Sequence, residues 1–99
     1  MEIKHDPNLT KENLMELFRQ HFDGKYEVYP TKVIDRNFVV KKSGMSGVFV
    51  KLEQKNEKTQ VVFNNNAPSA LFRLLGPLPM LFAGRDVMED VKTFLETMQ

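Results

Sequence analysis

At 99 residues, with 41% hydrophobic and 27% charged side chains, the chain has the length and make-up of one globular domain rather than a disordered segment. It has no Cys, which excludes disulfides, thiolate nucleophiles and sulfur-based zinc sites. The net charge of +1 conceals a basic middle: residues 25–58 hold eight basic and four acidic groups, a modest excess for nucleic-acid binding.

The opening MEIKHDPNL has no apolar h-region, so no secretory leader is expected, and residues 1–8 read as a flexible N-terminal segment of a single 1–99 domain. A helix follows over 10–22. Leu14, Leu17, Phe18 and Phe22 fall at i, i+3, i+4 and i+8, which makes one apolar stripe. Thr10 fits the N-cap, Leu9 and Leu14 fit a hydrophobic staple, and Asp23-Gly24 supplies the stop. A start at Asp6-Pro7 is the alternative.

From Lys25 to Asn64 the period changes to two, in short runs rich in Val, Phe and Tyr. SGMSG at 43–47 and QKNEKT at 54–59 have the composition of hairpin connections. Val48, Val50 and Leu52 alternate with Phe49, Lys51 and Glu53, the pattern of a sheet with one face on the core and one toward water. Pro30 marks a break, a bend or an edge strand.

Residues 67–84, APSALFRLLGPLPMLFAG, carry eleven apolar side chains and a single charge, Arg73. Pro68, Gly76, Pro77 and Pro79 divide this tract into a short 69–75 helix, a turn and an apolar strip at 78–82. A spanning helix needs about 20 apolar residues with unbroken backbone bonding, so the tract is expected to pack on the sheet or to meet a membrane surface or a partner. Leu78, Met80, Leu81 and Phe82 are the candidate contact residues. From Arg85 the helical period returns, with Val87, Met88, Val91, Phe94, Leu95 and Met98 in one stripe.

The expected architecture is α+β in two layers: a four-stranded antiparallel meander covered on one face by an N-terminal helix, the 69–75 helix and a C-terminal helix, in the order α-β-β-β-β-α-α. Catalytic, cofactor and metal motifs are not seen. His5 and His21 are isolated, Gly44/Gly47 lack the Lys-Ser/Thr of a phosphate loop, and no Ser sits in a nucleophile elbow. Asp86, Glu89 and Asp90 share a helical face, a pattern that a divalent cation could use but that the helix dipole explains better without any ion. Lys41, Lys51 and Lys55, with Phe49 among them, form a candidate face for anionic ligands, either phosphates with stacked bases or lipid headgroups.

Three functions remain in view. The first is a non-catalytic interaction module that binds a protein or its own copy. The others are a peripheral membrane domain using 67–84 and a weak single-strand nucleic-acid binder. A cytoplasmic place, extending to the membrane periphery, fits all three.

Overall fold

The computed structural model describes residues 1–44, 46–65 and 85–99. Five strands and two helices are present among them: β1 (Glu2–Ile3), α1 (Lys11–His21), β2 (Glu27–Pro30), β3 (Phe38–Lys41), β4 (Gly47–Lys55), β5 (Lys58–Asn65) and α2 (Arg85–Glu96). The strands make one antiparallel sheet in the order β1-β5-β4-β3-β2. The expected meander is therefore β2 to β5, and it gains a fifth strand. The N-terminus adds this strand beside β5, with Glu2 opposite Gln60 and Ile3 opposite Thr59. A two-residue strand is too short to show an alternation, so its pairing was not readable locally. The proposed 69–75 helix lies outside the described residues.

The elements start and stop for local reasons. Thr10 has an extended backbone and its side chain accepts the Asn13 N–H at 3.1 Å, capping α1. After α1 the chain reverses with the N–H groups of Lys25 and Tyr26 both donating to the Phe22 carbonyl, and Gly24 takes φ 77° there. Between β4 and β5, Asn56 and Glu57 have φ 53° and 61°, the signature of a two-residue type I′ turn. Gly suits the second position, because a left-handed side-chain-bearing residue is strained by about 1–2 kcal/mol. Glu57→Gly should raise stability by about 0.5–1 kcal/mol once the extra chain entropy of Gly is subtracted. Denaturant unfolding of the pair of proteins measures it, and a loss of stability would contradict the turn assignment.

The core lies between the helices and one face of the sheet. Val28, Phe38, Val40, Val48, Val50 and Val61 point to that face, where they meet Leu14, Phe18 and Phe22 of α1 and Val87, Val91 and Leu95 of α2. Phe18 is its centre, with the rings of Phe38 and Phe94 each 5.1 Å away at steep angles. The opposite face is not uniformly wet, as the alternation had suggested. Val39 and Phe49 point to it as direct cross-strand neighbours, and both are only 1% exposed. A β-branched side chain beside an aromatic one makes a favourable apolar pair on a pleated surface.

Both outer strands have their free backbone partly occupied by the chain itself. On β2 the Val28 carbonyl faces away from β3 and accepts from Arg19 Nε and Nη2 at 3.3 and 3.2 Å, while Pro30 has no N–H to offer. On the β1 side Gln99 Nε2 reaches the Glu2 carbonyl at 3.4 Å, and the Lys4 N–H donates to Met98 O at 2.8 Å. Asn37 performs a related task at the entry to β3, accepting the Leu52 N–H on its Oδ1 at 2.8 Å.

Candidate functional site

The sheet register brings the four residues of the proposed anionic-ligand face together. Lys41, Phe49, Lys51 and Lys55 all project to the side opposite the helices. Their surroundings differ from the expectation. Lys51 is held between two carboxylates, hydrogen-bonded to Asp35 and 3.2 Å from Glu53. Hydrogen bonds to Asp35 and Glu53 raise its affinity for a proton, and the Lys51 bond in turn holds the Asp35 carboxyl below its ordinary range. Asp35 sits at φ 67° in the β2–β3 loop, a left-handed position that Asp tolerates. Lys41 lies directly across from Glu27, and Lys55 across from Lys58. Phe49 is buried, so its ring is not the exposed stacking platform that the interleaving with lysines implied. The positive field is thus broken by Glu27, Asp35 and Glu53.

Two carboxylates of α2, Asp86 and Asp90, are also matched by cations of the chain. Lys42 pairs with Asp86, and Lys25 Nζ lies 2.8 Å from Asp90. Tyr26 donates its hydroxyl to Asp90 Oδ2 at 2.7 Å, tying the start of β2 to α2. The bonds from Lys25 and Tyr26 lower the Asp90 pKa, the bond from Lys42 lowers that of Asp86, and burial together with Asp90 pushes the Tyr26 phenol up. Among the described residues no three His or carboxylate groups are placed to hold a metal ion.

These shifts fix the sign of an acid dependence. Asp86 and Asp90 have folded pKa values below their unfolded ones, so their stabilising effect is complete above about pH 5 and is lost as pH falls through the folded values. Both pairs are solvent-accessible, which limits each to about 1 kcal/mol or less. Thermal unfolding between pH 7 and 2.5 should show a fall in Tm below about pH 4. The Asp86→Asn/Asp90→Asn variant should show a smaller fall, and an identical profile would refute the assignment.

The two histidines are surface groups with local partners. His21 stacks on Phe94 with ring centroids 4.0 Å apart and a 12° tilt. His5 Nδ1 lies 3.0 Å from the hydroxyl of the buried Thr59, which also accepts the Asp6 N–H at 3.3 Å.

A feature that periodicity did not single out is apolar. Between β1, α1 and the C-terminal turn runs a groove of about 350 Å³, with Ile3, Leu9, Leu17 and Met98 as its apolar walls and Lys4, His5 and Asp6 beside them. Leu17 is 42% exposed within it. At about 100° per residue, Leu17 stands roughly 100° from the centre of the Leu14–Phe18–Phe22 stripe, so its place at the rim was visible in the helical projection. Counting it into the stripe hid this. Among the described residues the other exposed large apolar side chain is Ile34, 92% exposed in the β2–β3 loop. Leu78, Met80, Leu81 and Phe82 lie outside the described residues. No described helix is long and apolar enough to cross a membrane.

No family model, curated protein or solved structure matches the chain.

Proposed function

We propose that this chain is a non-catalytic interaction module that docks on a protein surface, including that of its own copy, through apolar contact. The observation that carries the reading is Leu17, left 42% exposed in a groove that it shares with the apolar Ile3, Leu9 and Met98. Three of the charged candidates, Lys51, Asp86 and Asp90, support it by contrast, being already matched within the chain. Contiguous apolar surface rimmed by polar residues is the form that interaction sites take.

Sedimentation velocity tests this, on the purified chain over a range of concentrations and on the labelled chain in cell lysate. A faster-moving species that Leu17→Glu abolishes is the expected result. The substitution is on an exposed rim and should change stability by about 0.5 kcal/mol or less. A chain that stays monomeric alone and in lysate would refute the module.

A second reading, shallow attachment to an anionic membrane surface, is supported by Ile34 between Lys32 and Arg36 in the β2–β3 loop. Flotation with anionic liposomes at low salt distinguishes it. Binding weakened by Ile34→Ser would favour it over the protein-contact reading.

A further inference from the structure

We propose that the groove between β1, α1 and the C-terminal turn is a two-fold contact surface for a second copy of this chain. The proposal rests on the interaction-module reading and names the partner. Lys4 and Asp6 both border the groove, are exposed, and take part in no ion pair among the described residues. They are two residues apart, with His5 between them turned to Thr59. When such a segment meets its own copy in antiparallel sense about an axis at residue 5, Lys4 of each faces Asp6 of the other. A two-fold contact pairs residue i with j and j with i, so a patch carrying both signs beside an apolar centre is complementary to itself.

Leu17 supplies the apolar centre, and each copy's Leu17 enters the other's groove against Leu9 and Met98. The contact is made by side chains rather than by extension of the sheet. The Lys4 N–H is spent on Met98 O, and Gln99 covers the Glu2 carbonyl, so β1 presents little free backbone to a neighbour. The dimer should be weakened by salt, since two exposed ion pairs contribute to it.

Sedimentation equilibrium of the full chain with charge exchanges tests the assignment. Lys4→Glu gives an acidic patch and Asp6→Lys a basic one, so each should lower self-association at least tenfold. The double variant Lys4→Glu/Asp6→Lys restores opposite signs and should dimerise as the parent does. An equimolar mixture of the two single variants should form a mixed dimer, and this recovery cannot come from misfolding. Asp6 Oδ1 also accepts the Asn8 N–H, so circular dichroism of Asp6→Lys accompanies the measurement. A parent chain that is monomeric at several hundred micromolar, or a dimer indifferent to both single exchanges, overturns the proposal. A parent that is monomeric alone but enters a Leu17-dependent complex in lysate overturns the second-copy contact and leaves the module reading standing.

Discussion

Phe18→Ala is expected to cost about 3–5 kcal/mol, among the largest losses from truncating any one of the described residues. The side chain is fully buried and its ring meets Phe38 from the sheet, Phe94 from α2 and Phe22 from its own helix. Truncation removes the transfer free energy of a phenyl group and opens a cavity where α1, β3 and α2 converge on one ring. Neighbouring aromatic rings are stiff and refill such a space poorly. A domain of about 100 residues has roughly 5–15 kcal/mol in total, so the variant would be marginal or unfolded at 37 °C. Urea unfolding measures it as a lowered midpoint with an unchanged slope. A cost under about 1.5 kcal/mol would show that the three elements are not packed around this ring.

Leu95→Ala should follow, at about 2–5 kcal/mol. α2 has three fully buried residues, Val87, Val91 and Leu95, spaced four apart along one stripe. Leu95 is the largest of them and sits one turn before Met98, whose carbonyl receives the Lys4 N–H. Its loss therefore weakens both the docking of α2 on the sheet and the closure of the β1 side. Amide exchange should accelerate in α2 and at Lys4 before it does so in β3 and β4. Glu89→Ala, on the exposed side of the same helix, is the control, with a change of about 0.5 kcal/mol or less. Equal effects from the two variants would mean that the stripe does not face the sheet.

Much of this architecture is legible in the residues, because its elements rest on short-range physics. Thr10 announces a cap and is one, and Pro30 announces a break, a bend or an edge and lies in the outer strand β2. The alternation from Val48 to Glu53 sorts the side chains onto two faces without showing that both are dry at Phe49. β1 was out of reach, since its pairing with β5 joins residues almost sixty positions apart and is too short to leave a pattern. The candidate basic face was half legible. Alternation put Lys41, Phe49, Lys51 and Lys55 on one side, but Asp35 reaches Lys51 only because its loop takes a left-handed turn that no periodicity encodes. Burial of Phe49 is a third-dimension property of the same kind. Leu17 was misjudged for a simpler reason, a stripe drawn too wide.

The Arg19 guanidinium on the Val28 carbonyl has a consequence for how this chain would fail. Fibre growth recruits monomers onto unoccupied main-chain groups at a sheet margin, and here one such margin is stoppered by a side chain belonging to α1. The stopper is only as durable as its helix. Warming that frays the last turn of α1 would withdraw it while the strands are still intact, so irreversible clumping should set in below the main melting transition, and sooner in Arg19→Ala than in the parent.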